Sequence, residues 1–567
     1  MDVTMINQAQ SLSRAVLSFA LAGHRRACLV LTLATLLCCL PGFFVIPPTD
    51  RDEGRFAQAS KQMIETGDLI NIRYQGEARN KKPVGIHWMQ AGIATLSGYG
   101  ADAPIWVYRL PSLLGALAAV LLTYWALLPL IGRQESLIAA MLLAATFMLG
   151  IEARIAKTDA VLLATTTAAM GALIRAYLGP KTVLQTGNWL IFWLAIAVGL
   201  LIKGPITPLV VGLTATTLVV YHRSAAFLRA LRPIYGVMLV LLISLPWFIA
   251  IAVQTQGAFF QGSLGHDMFE KIGGAAEQHW GPPGYYAAAF WVFAWPAAPF
   301  LLVAWPWLWA NRRDQSVMTL LAWLLPTWVL FEVVFTKLPH YVLPTYPALM
   351  GLIALALVRM GTGMPARWRQ FWLVGLWLFP LLLGFAAIIT VYRVEDVVLY
   401  GAIVFTVLSA LLGFVVNRLA GRHLPEAVPL SIAVASLLYL AVMQSAAPGL
   451  RTIWLSKTLA DKINEISLCP RPQLAIAGYA EPSFVFLTRT DTYLADVAGS
   501  ASFLSQAGCR LAIVDALRRN GAGELISDEF QQQLQALHVK AEKIGEVTGR
   551  NVNGFALRRM EIWRRLP

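Results

Sequence analysis

The chain has 567 residues, of which 57% are hydrophobic and 13% are charged, and its formal net charge is +14. Soluble domains usually carry about 25% charged residues, so this composition indicates a chain that lies mostly in lipid and excludes a string of ordinary soluble domains. The positive charge does not indicate nucleic-acid binding, because the Lys and Arg residues lie mainly in short loops between apolar runs, which is the pattern of membrane topology.

The first segment, residues 1–26, is weakly amphipathic and is expected to be cytoplasmic. The apolar run 27–46 is long enough to span a bilayer, and it ends in two prolines without a small-residue cleavage site, so we predict a first span and no cleavable signal peptide. Twelve more spans are predicted to complete a transmembrane domain over 27–446, near 105–128, 136–152, 160–178, 188–202, 206–221, 233–253, 285–310, 316–335, 341–358, 371–391, 398–416 and 427–446.

The stretch 84–97 is apolar but only about 14 residues long, which suits an interfacial or re-entrant helix better than a span. Loop charge supports this choice. If 84–97 does not cross the membrane, the cations collect in alternate, cytoplasmic loops; if it does, the middle clusters change sides. The loops concerned carry Arg133, Lys181, Arg223, Arg229, Arg232, Arg312, Arg313, Arg359, Arg367, Arg369, Arg418 and Arg422.

The remaining loops are then external, and two of them are long: 47–104 and 254–284. The segment 447–567 is richer in polar residues and is predicted to form a small external α/β domain. Strands are predicted at 473–477 and 510–514, and helices at 516–519 and 528–543. Cys469 and Cys509 lie in this domain, and their spacing leaves open whether they are bonded.

Ionisable side chains from distant loops gather at the external face. Carboxylates there suit a general base or the stabilisation of a sugar cation, and cations suit a phosphate leaving group. The simpler alternatives stay open: interfacial lysines often extend to lipid headgroups, Asp159 suits a helix N-cap, and loop histidines usually make ordinary hydrogen bonds. The groups are Asp52, Glu53, Arg55, Lys82, Asp159, Lys203, His266, His279, Lys337 and Tyr341.

Several of these residues stand in motifs. They include Asp52-Glu53-Gly54-Arg55-Phe56-Ala57, Gly67-Asp68, Lys82-Pro83, His266, Gln278-His279, and Lys337-Leu-Pro with Tyr341. With them the sequence resembles the GT-C glycosyltransferases of the protein mannosyltransferase superfamily, above all the branch that attaches aminoarabinose to lipid A. The resemblance covers about 27–446 and is weaker in the tail.

The resemblance implies an all-α polytopic fold with about thirteen transmembrane helices, a C-terminal α/β periplasmic domain and a bacterial inner-membrane location. It implies an inverting transferase that moves a sugar from an undecaprenyl-phosphate-type carrier to lipid A or another envelope glycolipid. Asp52 takes the catalytic role, with Asp159 and Glu53 beside it. Arg55, Lys82, Lys203, Lys337 and Tyr341 are implied at the donor phosphate, and His266 and His279 at the substrate or a divalent metal. A monomer is expected, and no nucleic acid.

One position departs from the aminoarabinose transferases, which have Glu-Lys-Pro where this chain has Lys81-Lys82-Pro83. That Glu is the acidic partner of the loop His in the metal site, so Lys81 argues against a metal and leaves the sugar open among aminoarabinose, a hexose and a hexuronic acid. Two alternatives remain: a protein O-mannosyltransferase type of enzyme, and a transporter or flippase of lipid-linked sugars. The second is disfavoured because the charges gather at one face and no internal repeat is detected.

Overall fold

The computed structural model describes residues 3–49, 51–179, 187–263, 280–361, 364–552 and 554–566. His266 and His279 lie outside this range. The chain forms a large helical domain followed by a small α/β domain, as predicted. Each of the thirteen predicted spans falls on a helix or on two joined helices, although several ends differ.

The first half of the helical domain begins with a 19-residue helix that the sequence indicated only as a weak amphipathic stretch. It packs against helices from the end of the membrane domain. The bounds are α1 (Val3–Leu21), α2 (His24–Cys39), α3 (Asp52–Thr66), α4 (Gly85–Leu96), α5 (Ile105–Ile131), α6 (Arg133–Ala145), α7 (Phe147–Ala153), α8 (Asp159–Leu178), α9 (Asn188–Lys203), α10 (Ile206–His222) and α11 (Pro233–Gln254).

The second half continues the bundle after the long second loop, with single turns at Ala258–Phe260 and Ala447–Gly449. A 3-10 turn, Pro339–Thr345, leads into α15, and a π-helical turn, Leu440–Ala446, follows α19. The bounds are α12 (Tyr285–Phe293), α13 (Ala297–Ala310), α14 (Gln315–Val333), α15 (Tyr346–Arg359), α16 (Ala366–Trp372), α17 (Gly375–Glu395), α18 (Tyr400–Ala420) and α19 (Leu424–Tyr439).

Among the described residues, eight helices are long and apolar enough to cross a membrane, or up to ten when two bent pairs are each counted as one span. The other three predicted spans fall on α2, α9 and α10, which are apolar but only 16 or 17 residues long. The span predicted over 285–310 falls on two helices, α12 and α13, and is bent. Its two helices meet at 119°, because Pro296 has no N–H to continue the first of them.

The structure also decides where the first span ends and what the stretch 84–97 forms. The first span ends earlier than predicted, at Cys39 rather than 46, because Pro41 and Gly42 break the helix. The stretch 84–97 forms the 12-residue helix α4, about 18 Å long, which is too short to cross a bilayer.

The α/β domain contains a five-stranded sheet of order β4-β3-β5-β7-β6. A separate hairpin of two short strands, β1 and β2, lies in the first long loop. Strand β3 pairs in parallel with β4 and β5, whereas β7 is antiparallel to both β5 and β6. The strands are β1 (Arg73–Tyr74), β2 (Glu77–Ala78), β3 (Gln473–Ala477), β4 (Tyr493–Ala495), β5 (Arg510–Asp515), β6 (Ala541–Arg550) and β7 (Leu557–Arg565).

Helices cover both faces of this sheet, because its central strands are apolar on both sides. They are α20 (Leu455–Ile466), α21 (Pro482–Leu487), α22 (Val497–Ser505) and α23 (Ile526–Ala536). The predicted strands are confirmed, but the predicted helix at 516–519 is a turn that ends in a β-bridge at Arg519. The helix predicted to reach 543 ends at Ala536, since β6 begins at Ala541. A disulfide joins Cys469 to Cys509.

The α/β domain packs directly on α3. A Cβ atom on Gly54 would lie 2.7 Å from the backbone nitrogen of Ser483, so only glycine allows α3 to approach α21 this closely. Gln58 donates a 2.7 Å hydrogen bond to Thr490, and Lys61 donates one of 3.2 Å to the Phe486 carbonyl. The domain therefore fixes the helix that begins with Asp52.

Candidate active site

A buried ion pair holds the start of α3 in place. The guanidinium of Arg109 donates to both carboxylate oxygens of Glu53, at 2.7 and 3.0 Å, and neither side chain is exposed. Arg109 also donates to the carbonyls of Phe43, Ile46 and Pro47, so it ties the segment that follows α2 to α3.

Glu53 was predicted as a catalytic carboxylate, and the structure gives it a different place. Besides Arg109, its oxygens accept hydrogen bonds from Thr49 and from the amide of Ala156, at 2.7 to 2.9 Å. Burial opposes ionisation, but Arg109 and these donors outweigh it and hold the pKa of Glu53 below its usual value. Because both oxygens are engaged inside the protein, Glu53 positions its neighbours and does not face a substrate.

Asp52 differs from Glu53 both in its exposure and in its hydrogen bonding. It lies in the first turn of α3, is exposed, and has no hydrogen-bond or ion-pair partner among the described residues. The residue before it, Arg51, has a φ of 62°, a conformation that side chains rarely adopt and that the anchored segment maintains. Asp52 is thus a free carboxylate on a fixed backbone, which is what a general base requires.

A second cluster lies beside this helix start. Lys203, the last residue of α9, donates a 2.5 Å hydrogen bond to Asp159, the first residue of α8. Thr158 occupies the N-cap position, so Asp159 does not cap its own helix, and Lys203 pairs with it instead of extending to a lipid headgroup. Both side chains are largely buried, at 3% exposed for Asp159 and 12% for Lys203.

His340 joins the cluster from the 3-10 turn before α15. Its Nδ1 lies 3.6 Å from Glu152 and its Nε2 lies 3.8 Å from Asp159. The charge of Lys82, at the start of the α4 segment, also acts on His340, which places that predicted phosphate ligand near the cluster.

Lys157 is a partly buried cation that several carboxylates of the site stabilise. It lies in the loop between α7 and α8, where burial disfavours its charge. The carboxylates of Glu152, Asp159, Asp52 and Glu53 outweigh that effect and raise the pKa of Lys157 above its usual value. Lys157 is therefore a permanent cation on which both Asp52 and Asp159 act electrostatically.

Two predicted donor ligands, Lys337 and Tyr341, come from the segment before α15. The ring of Tyr341 packs under Lys203, with the ammonium nitrogen 5.5 Å from the ring centre. Lys337 is buried and donates a 2.8 Å hydrogen bond to the carbonyl of Gly281. Arg55 is half-buried on α3, one turn after Asp52.

Sequence reasoning missed three members of the site: Glu152, Lys157 and His340. Each stands within a segment that carries a predicted residue, since Glu152 and Lys157 precede Asp159 and His340 precedes Tyr341. In the described part of the chain, no three His, Cys, Asp or Glu side chains are grouped closely enough to hold a metal ion.

The chain is similar to known proteins in sequence and in fold. The family profile of dolichyl-phosphate-mannose-protein mannosyltransferases matches residues 51–258, which carry Asp52, Lys82, Asp159 and Lys203. Undecaprenyl phosphate-alpha-4-amino-4-deoxy-L-arabinose arabinosyl transferase 2 of Pseudomonas fluorescens is 26% identical over 518 residues, covering 88% of this chain and 87% of that protein. Its namesake in Proteus mirabilis is 24% identical over 477 residues, covering 80% and 82%.

Among solved structures, ArnT from Cupriavidus metallidurans in the apo state superposes with a TM-score of 0.71 at 18% sequence identity, covering 94% of this chain and 97% of that one. The same protein bound to undecaprenyl phosphate gives a TM-score of 0.70 at 20% identity, with the same coverage. At these identities the structural likeness shows the fold. Together with the sequence matches, it makes the chain similar to the GT-C-type glycosyltransferases of the protein mannosyltransferase superfamily, in particular to the aminoarabinose transferases.

Proposed function

We propose that the chain transfers a sugar from an undecaprenyl-phosphate-type carrier to lipid A or another envelope glycolipid. The relatives support the carrier, since they are named as undecaprenyl phosphate aminoarabinose transferases. The observation that carries the proposal is the free carboxylate of Asp52 beside a cluster of cations. This arrangement suits proton abstraction on one side of the sugar and a phosphate leaving group on the other.

The reaction is a direct displacement at the anomeric carbon. The acceptor hydroxyl loses its proton to Asp52, its oxygen forms the new bond to the anomeric carbon, and the bond to the carrier phosphate breaks. The electron pair of that bond remains on the phosphate. One displacement inverts the configuration of the anomeric carbon.

The cations of the site are assigned to the departing phosphate. Lys203 uses one N–H for Asp159 and retains others, Arg55 lies in the first turn of α3, and the charge of Lys82 acts on His340. Asp159 then acts as a positioning residue that orients Lys203, and Lys157 offsets the charge of the surrounding carboxylates. Lys337 and Tyr341 complete the donor side, with Tyr341 packed against Lys203. All these residues come from one chain, so a monomer suffices.

The active site is assigned to the periplasmic face of the inner membrane. The support is the distribution of cations in the loops on the opposite side and the disulfide in the domain that packs on α3. The sugar itself is assigned through Lys81, an exposed cation next to Lys82. We assign an anionic donor such as a hexuronic acid. Replacing Lys81 by Glu should shift the preference away from it, and an unchanged donor preference would refute this assignment.

Asp52→Asn tests the proposal. We expect transfer to fall by about 10²–10⁴-fold, the usual contribution of a general base, while the purified protein still binds the carrier. Glu77→Gln, which removes an exposed carboxylate of the same loop, should leave transfer unchanged. Lipid A from cells with each variant is compared by mass spectrometry.

A sugar-sized mass that depends on Asp52 confirms the transferase and names the acceptor. The same mass on a protein would move the acceptor to protein Ser or Thr. A variant that loses carrier binding together with transfer, or that retains full transfer, would contradict the role of Asp52.

A further inference from the structure

A cavity of about 540 Å³ lies at the opposite end of the helical bundle from the catalytic cluster. Helix α15 connects the two places, since the turn before it carries His340 and its last residues, Leu357 and Val358, line the cavity. The walls are completed by α1, α16 and the start of α19. The cavity is thus outside the active site, and the proposed transfer gives it no role.

Arg369 is the unusual residue of this cavity. Its side chain is buried, with the residue 7% exposed, and its Nε has no hydrogen-bond partner. It forms no ion pair with any carboxylate of the described residues. An isolated buried charge is costly, so a guanidinium placed in this way is stable only when an anion joins it.

The other charged residues that line the cavity leave it with a net positive charge. Arg14 and Glu426 form an ion pair of 2.5 Å, and Glu426 is the single carboxylate among the described lining residues. Arg422 also lines the cavity and has no such partner. The paired charges cancel, which leaves Arg369 and Arg422 as two cations facing a cavity with an apolar floor that includes Leu17 and Leu357.

The cavity lies at a membrane–water boundary. Helix α16, which carries Arg369, exposes Trp368, Phe371 and Trp372, and aromatic side chains of this kind collect at the level of lipid headgroups. Gln370 fixes this helix to the end of α18, because its carbonyl accepts a 2.8 Å hydrogen bond from Asn417. An anion that reaches Arg369 therefore comes from the headgroup layer.

We propose that this cavity binds the phosphodiester headgroup of an anionic phospholipid. Arg369 and Arg422 contact the phosphate, and the acyl chains lie along the apolar helices that border the opening. The geometry favours a lipid over free phosphate, since apolar residues such as Leu17 and Leu357 line the cavity and the helix that carries Arg369 exposes aromatic side chains.

The test uses the full-length protein in a neutral detergent and native mass spectrometry. The probes are dioleoyl phosphatidylglycerol, dioleoyl phosphatidylcholine and inorganic phosphate. Wild-type protein should retain phosphatidylglycerol in preference to phosphatidylcholine, and Arg369→Gln should retain it about tenfold less, the loss expected for one charge-assisted hydrogen bond. Arg367→Gln is the matched control, because Arg367 is an exposed arginine on the same helix.

Three outcomes would overturn the proposal: equal retention by Arg369→Gln and Arg367→Gln, equal retention of the two lipids by the wild type, or displacement of phosphatidylglycerol by millimolar inorganic phosphate. If Arg369→Gln does not fold, Arg422→Gln carries the test, since Arg422 is exposed and its replacement spares the core. Retention of phosphatidylglycerol by that variant at the wild-type level would count as the same refutation.

Discussion

Glu53 and Arg109 form a two-point ion pair with no solvent exposure, directly behind the exposed carboxylate of Asp52. Adjacent residues on one helix thus have opposite roles, since one is locked inside the protein and the other is free to react. Because this ion pair anchors the start of α3, we expect a substitution of Arg109 to change the position of Asp52.

Arg109→Met should destabilise the protein by about 3–5 kcal/mol, because it leaves the carboxylate of Glu53 buried without its cation. Thermal unfolding of the purified protein in detergent measures the loss. The control is Arg471→Met, which removes an ion pair to Asp102 in which both side chains are at least 69% exposed, and it should leave the melting temperature nearly unchanged. Equal melting temperatures for wild type and Arg109→Met would contradict the anchoring role.

Lys157 should stabilise the protein over the whole physiological pH range. Its pKa in the folded protein lies above the ordinary value of 10.5, so its contribution is complete below pH 10.5 and is lost as the pH rises through the folded pKa. The difference in melting temperature between wild type and Lys157→Met should therefore not shrink as the pH rises from about pH 6 to pH 9. A difference that shrinks within this interval would show that Lys157 loses its proton there.

Transfer should also depend on Lys157 without following its titration. Lys157→Met removes the cation among four carboxylates, and we expect the rate to fall at every pH in this range, with the shape of the pH profile set by other groups. Lys462→Met, in the exposed part of α20, serves as the control and should retain the wild-type rate. A wild-type rate for Lys157→Met would remove this residue from the site.

Gly54→Ala should separate the α/β domain from α3. The added Cβ would lie 2.7 Å from a backbone atom of Ser483, a contact that only movement of the domain relieves, at a cost of about 1–3 kcal/mol. We expect lower transfer and faster proteolysis between the two domains. Gly92→Ala on α4, which meets no atom within 4 Å, is the matched substitution and should behave as the wild type.

The disulfide Cys469–Cys509 should form in cells and stabilise the α/β domain by about 2–4 kcal/mol, because it closes a 40-residue segment. Thiol labelling before and after reduction counts the cysteines, and Cys28, Cys38 and Cys39 should be the only thiols labelled without reductant under denaturing conditions. Since such bonds persist in oxidising compartments, this experiment also tests the assigned side of the membrane. Labelling of all five cysteines before reduction would argue against a periplasmic location.

The spans and the loop residues at one face were predictable, because hydrophobic length and loop charge are properties of short segments. Asp52, Asp159 and Lys203 were found in this way. The pairing of Glu53 with Arg109 was not, since the two residues are 56 positions apart and only packing of α3 on α5 brings them together. The end of the helix before β6 was missed for a related reason, because tertiary contacts decide which of two permitted conformations a short segment adopts.

The close packing of Gly54 on Ser483 has a consequence for how the protein matures. Helix α3 emerges early from the ribosome, whereas the domain that holds it emerges more than 400 residues later. Asp52 therefore reaches its final position only after the end of the chain has been synthesised. On the proposed function, a chain that lacks the α/β domain would not hold its base in place and would leave the carrier lipid unused until synthesis is complete.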